Sequence, residues 1–155
     1  MFSESQILSA LAKYCSQAER CVFDVQNKLK VENLSKEAEQ RIIEQLQCEK
    51  FIDERRFAKS YVHDKFQLNH WGRLKIAYEL KMRGIPSDVY YDALETIDED
   101  EYNTVLAGLL TGKKRTVKGR SPQDVYQKLY RFAVARGFEA PVINNILRKI
   151  CHNND

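Results

Sequence analysis

The strongest constraint on the fold of this chain is that it repeats itself. The segment KIAYELKMRGIPSDVYYDALETI (75–97) aligns with KLYRFAVARGFEAPVINNILRKI (128–150), and the Arg-Gly pairs 83–84 and 136–137 superpose 53 residues apart. Ile85 falls on Phe138, Val89 on Val142, Ala93 on Ile146 and Ile97 on Ile150. A weaker third copy, DVQNKLKVENLSKEAEQRIIEQL, begins 51 residues before the first of these, with Asn33 at the glycine position and Leu34, Ala38, Ile42 and Leu46 at the apolar ones. Glycine and asparagine are the residues that tolerate left-handed backbone, so each copy predicts a helix ended by a left-handed residue and followed by a second helix. A period near 50 residues implies stacked units that bury a shared core.

The punctuation supports helices throughout. Apolar residues recur at three and four rather than two. Ser3-Glu4-Ser5-Gln6 is a capping box ahead of Ile7, Leu8, Leu11, Ala12 and Cys15. Ser121-Pro122-Gln123-Asp124 sets a capping serine before a first-turn proline and an acid at the positive helix end. Each copy is preceded by one more helical stretch (3–16, 53–68, 98–110). The expectation is an all-α chain of three tandem three-helix repeats, 1–50, 51–97 and 98–155, forming an elongated, curved array. GKKRTVKGRS (112–121) is basic and poor in apolar residues, and reads as a loop inside the third repeat.

Charge separates the ends. Residues 1–102 hold 15 Lys and Arg against 19 Asp and Glu; residues 103–155 hold 10 against 3. A basic last third suits a polyanion or an acidic protein, although a solvated basic surface gives the same pattern. No apolar run is long enough to span a membrane, and MFSESQILSALAKYC lacks a basic region before its apolar residues, so a cytoplasmic chain is expected. Cys15, Cys21, Cys48 and Cys151 form no C-x-x-C pair and read as reduced, mostly buried thiols. His63, His70 and His152 are too scattered for a zinc site, and no cofactor is expected.

Within FIDERRFAKSYV (51–62), Asp53 is placed to cap a helix, with Ile52 and Phe57 as its hydrophobic staple. Arg55 and Arg56 then lie at the positive helix end, which calls either for compensating carboxylates or for a partner. Nothing here resembles a catalytic pair, and no G-x-S-x-G, Walker A or H-E-x-x-H pattern occurs, so enzyme chemistry is not expected. The candidate binding residues come from charge and position. Trp71, Arg73 and Lys75 open a helix and can clamp a partner, or serve as core and ordinary surface. Lys81 and Arg83 extend that face. Lys113, Lys114, Arg115, Lys118 and Arg120 form the densest basic cluster, which Lys128, Arg131 and Arg136 can continue.

KFIDERRFAKSYVHDKF, then WGRLKIAYELKMRGI, then YRFAVARGF resemble the RecX regulators of the RecA recombinase over essentially the whole chain, most strongly over 51–97. Lys50 stands where members of that family commonly have glycine, and the loop at 112–121 is longer than usual. The resemblance implies an all-helical array of three-helix repeats without catalytic residues. It further implies a protein that binds RecA–DNA filaments in their groove and generally inhibits ATP hydrolysis, strand exchange and co-protease activity, with contact to DNA phosphates left open; nothing in the sequence demands a dimer, so a monomer is expected. The rival expectation is a direct DNA-binding protein of helix-turn-helix-like units, and a helical adaptor for another partner is a third.

Overall fold

Side-chain caps begin most of the helices. In the computed structural model, which describes residues 2–152, Ser3 accepts from the Gln6 N–H at 3.1 Å while Gln6 accepts from the Ser3 N–H at 2.8 Å, completing the capping box. Ser35, Asp53, Asp98 and Ser121 each accept from the N–H three residues on, at 2.9–3.1 Å. The elements so defined are α1 (Glu4–Gln17), α2 (Val22–Leu29) with a 3₁₀ turn at Lys30–Glu32, and α3 (Lys36–Cys48). α4 (Glu54–Gln67), α5 (Arg73–Met82) and α6 (Ser87–Leu94) follow, then α7 (Glu99–Lys114), α8 (Pro122–Ala135) and α9 (Ala140–His152). The described residues contain no strand, and the nine helices run as three successive triplets.

The repeat glycines end their helices as expected. Gly84 (φ 74°) follows α5 and Gly137 (φ 94°) follows α8. In both, the left-handed residue donates to the carbonyl three back and the next residue to the carbonyl five back, at 2.9–3.2 Å, which is the Schellman arrangement. Asn33 (φ 51°) is left-handed at the matching place in the first triplet. Lys50 (φ 64°) is a third Schellman residue, closing α3 through Lys50 N–H to Gln47 O and Phe51 N–H to Leu46 O. A position with φ above zero favours glycine, so the departure at Lys50 keeps the conformation and changes only the residue that holds it.

Two hydrophobic cores result. Ile7, Leu11, Ile42, Leu46 and Ile52 belong to the one built by α1–α3. Phe66, Ile76, Leu80, Tyr102, Leu129, Phe138 and Leu147 belong to the one shared by α4–α9. The staple expected between Ile52 and Phe57 is therefore divided: Ile52 joins the first core and Phe57 the second. Cys21, from the first triplet, is fully buried in the second core. Cys15 is also buried, Cys151 half-buried and Cys48 exposed; all four thiols are free.

The loop boundary is the other correction. Gly112, Lys113 and Lys114 are the last turn of α7, not the start of a loop. Three acids open that helix and two lysines close it, the arrangement the helix dipole favours, and this outweighs a single glycine. The connection is thus 115–121. No helix among the described residues is long and apolar enough to cross a membrane. Residues 153–155 of the third repeat, and the side chain of His152, lie outside what the structure describes.

Candidate functional site

The second and third triplets meet backbone to backbone. The Gly72 N–H donates to the Arg136 carbonyl at 2.8 Å and the Leu74 N–H to the Gly137 carbonyl at 2.9 Å. The carbonyls that end α8 thereby satisfy amides that begin α5, which would otherwise lack partners. The approach leaves no room for side chains. A Cβ on Gly72 would lie 2.4 Å from the Gly137 carbonyl, and one on Gly137 would lie 2.3 Å from the Lys75 Cβ.

Arg73 serves this seam. Its guanidinium bonds Glu139 at 3.0 Å and also pairs with Glu99, while lying 3.9 Å from the centroid of the Tyr102 ring. The Tyr102 hydroxyl donates to Glu139 and accepts from the Arg73 N–H at 3.0 Å. Burial, then the Glu139 bond, raises the Tyr102 pKa well above the ordinary phenol value. With 19% of its side chain exposed, Arg73 is a structural ion pair more than a presented charge.

Around the same seam, aromatic rings collect cations. The Lys65 and Lys75 ammoniums lie 4.8 and 4.4 Å from the Trp71 ring centre, and Lys113 and Arg136 lie 5.3 and 5.1 Å from that of Phe132. Trp71 and Phe132 are half-buried against the larger core. Trp71 precedes Gly72, whose N–H bonds the Arg136 carbonyl, so each ring group has one member at the seam. These two groups use Trp71, Lys75, Lys113 and Arg136 from three helix ends, and add Lys65 and Phe132, which sequence reasoning missed. Their signal was present: Lys65 lies four residues from Tyr61 on α4, and Arg136 four from Phe132 on α8, both one helical turn.

The other candidates divide. Arg55 pairs with Asp88 at 3.2 Å and Asp92 at 2.9 Å. Arg56 pairs with Glu19 at 2.7 Å and donates to the Lys50 carbonyl at 3.1 Å. These are the compensating carboxylates, reached 33–37 residues away. Arg83 donates to the Glu79 carbonyl at 3.2 Å and the Tyr61 hydroxyl at 3.4 Å. Lys114 donates to the Ile150 carbonyl at 3.4 Å, and Lys128 to the Lys118 carbonyl at 2.6 Å beside Asp124. The Arg120 N–H, followed by Lys128, holds the Asp124 carboxyl below its usual pKa. Lys81, Arg115, Lys118, Arg120 and Arg131 are exposed and carry no side-chain ion pair among the described residues.

The first triplet is tied on by different chemistry. The Glu54 carboxylate accepts from the Val22 N–H at 2.9 Å, so a residue of α4 caps α2. Burial raises the Glu54 pKa, against the lowering effect of that hydrogen bond. Burial likewise pushes the Cys21 thiol up to about 12 and leaves it unreactive.

Known proteins share the fold. Residues 53–94 match the model of the RecX second three-helix domain. A regulatory protein RecX from Clostridium perfringens strain 13 is 31% identical over 84% of this chain and 61% of its own length. One from Prosthecochloris aestuarii is 26% identical over 97% of this chain and 99% of its own. The chain spans about 61% of the length of the two Clostridium perfringens relatives. A crystal structure of regulatory protein RecX superposes with a TM-score of 0.84 at 23% identity, over 92% of this chain and 72% of that one. RecX from Lactobacillus salivarius superposes at 0.83 and 20% identity, over 94% and 95%. With the glycine-ended helix triplets, these likenesses make the chain similar to the RecX regulatory proteins, with the RecX second three-helix domain matched at residues 53–94.

Proposed function

We propose that this chain is a non-enzymatic regulator that binds the RecA–DNA filament and restrains RecA's ATP hydrolysis, strand exchange and co-protease activity. The observation that carries the reading is the cation–aromatic belt at the seam: Lys65 and Lys75 on Trp71, Lys113 and Arg136 on Phe132. Rings hold ammonium and guanidinium groups in place, so less side-chain freedom is lost when an anionic partner arrives. The unpaired Arg115, Lys118, Arg120 and Arg131 extend the positive field along the last third. Docking across neighbouring RecA subunits then alters filament stability or blocks the path of exchange.

The test is RecA ATPase on single-stranded DNA with substoichiometric protein. Wild type is expected to slow hydrolysis. The double variant Lys75→Glu, Lys113→Glu is expected to require at least about tenfold more protein for the same effect, with an unchanged helical circular dichroism spectrum. Full inhibition by the double variant would move the interface off the seam. The rival, direct DNA binding, is favoured by the same cations and predicts tight duplex or single-strand shifts without RecA, falling steeply with salt. Weak, salt-sensitive shifts alone agree with the filament reading.

A further inference from the structure

Helix α5 is apolar on both sides. Ile76 and Leu80 point into the core and are fully buried, yet Leu74, Tyr78 and Met82, spaced four apart, are 58–59% exposed along its outer face. An apolar stripe of three large side chains on the outer face of a helix marks a surface that a partner can cover. Beside Leu74 runs an open groove of about 480 Å³ between α5, the end of α6 and the start of α7. Leu74, Ala77, Leu94 and Ile97 line it, with Tyr91 from α6 also 58% exposed. The stripe from Leu74 to Met82 is about 12 Å long, enough for two turns of a docked helix.

The charges of the groove select what fits. Glu95, Glu99 and Glu139 stand against the single cation Arg73, which Glu99 and Glu139 already engage. Glu95 has no ion pair among the described residues. Lys81 lies on the outer face too, and Lys75 flanks the stripe three residues before Tyr78 and seven before Met82, so the negative charge is confined to the Glu95 and Glu99 wall of the groove. The Glu95 and Glu99 wall is opposite in charge to the cation–aromatic belt, and the inference does not depend on the filament reading.

We infer that the α5–α6 groove is a docking site for an amphipathic helix of a partner protein, one whose apolar stripe is flanked by lysine or arginine. Its apolar side chains cover Leu74, Tyr78 and Met82, and its cations meet Glu95 and the rim of Glu99. Such a site gives the chain a second protein contact, on a helix-in-groove pattern.

The probe is a fluorescein-labelled helical peptide of about 14 residues made only of leucine and lysine, with a leucine–glutamate peptide of the same pattern as control. Fluorescence anisotropy with the whole chain, without RecA or DNA, measures both. The lysine peptide is expected to bind at least about tenfold more tightly than the glutamate peptide. Tyr78→Ser with Met82→Ser, and separately Glu95→Lys, should each weaken it by about tenfold. These side chains are exposed, so the variants should keep the wild-type melting curve. Equal binding of the two peptides, or binding unchanged in the variants, overturns the proposal. Concentration-dependent dimerisation in sedimentation, lost in Tyr78→Ser with Met82→Ser, also overturns it by making a second copy the occupant.

Discussion

Glu54 starts one helix and caps another. It is the first residue of α4, and its carboxylate accepts from the Val22 N–H of α2. Its partner Asp53 caps α4 itself, so the acid pair in FIDERR is divided between two helix starts. Because burial raises the Glu54 pKa, the folded protein holds the Glu54 proton more readily than the unfolded chain does. Protonation therefore favours the fold. The gain is fully present below the ordinary carboxylate pKa and is lost as pH rises through the folded value. Glu54→Gln keeps an acceptor for Val22 without the charge, so at pH 7 it should melt at or slightly above wild type. That difference should shrink in melts taken at progressively lower pH, down through the carboxylate range. Glu54→Ala should cost about 1–2 kcal/mol at pH 7, because the Val22 N–H is left without its acceptor. A Gln variant that melts as low as the Ala variant would rule out this account.

At the scale of elements, two equivalent glycines do unequal work. Gly84 and Gly137 superpose in the repeat and share a left-handed backbone. A Cβ at Gly84 meets nothing within 4 Å, whereas one at Gly137 strikes the backbone and Cβ of Lys75. Gly84→Ala should thus cost only the left-handed conformation, about 1–2 kcal/mol. Gly137→Ala adds a collision that only separation of α5 and α8 can relieve, and should cost about 3 kcal/mol or more. Gly72→Ala, at an ordinary φ of −78°, should isolate the collision alone. Chemical denaturation of the three variants gives the order. Capping and left-handed ends were legible in the sequence because they are settled within five residues. The Gly72–Gly137 contact was not, because repeat alignment shows which positions correspond and not which ones touch. The same limit hid the carboxylates of Arg55 and Arg56, and the engagement of Arg73 by Glu139, 66 residues away. The end of α7 was misread because Gly112 and a run of cations look like a loop until the dipole of a long, acid-started helix is weighed against them.

Across the whole molecule, the two cores set how the chain opens. The α1–α3 core and the α4–α9 core are separate, and the first triplet is joined to the rest through a short list of contacts. Cys21 plugs the larger core, Glu54 caps α2, and Arg56 pairs with Glu19. The Arg56–Glu19 pair is partly exposed and so contributes little by itself. No backbone docking like that of Gly72 on Gly137 is present at this joint among the described residues. The cation–aromatic belt and the α5–α6 groove both lie on the larger unit, whose helices hold one another across that seam. The first triplet should therefore open on its own, below the free energy of global unfolding. Leu46 is fully buried in the smaller core, and Leu46→Ala should remove about 2–5 kcal/mol from it. Native-state hydrogen exchange should then show faster exchange in α1 and α3 with α5, α8 and α9 unchanged. Equal loss of protection in all nine helices would mean that the Cys21 plug couples the two cores into one cooperative unit.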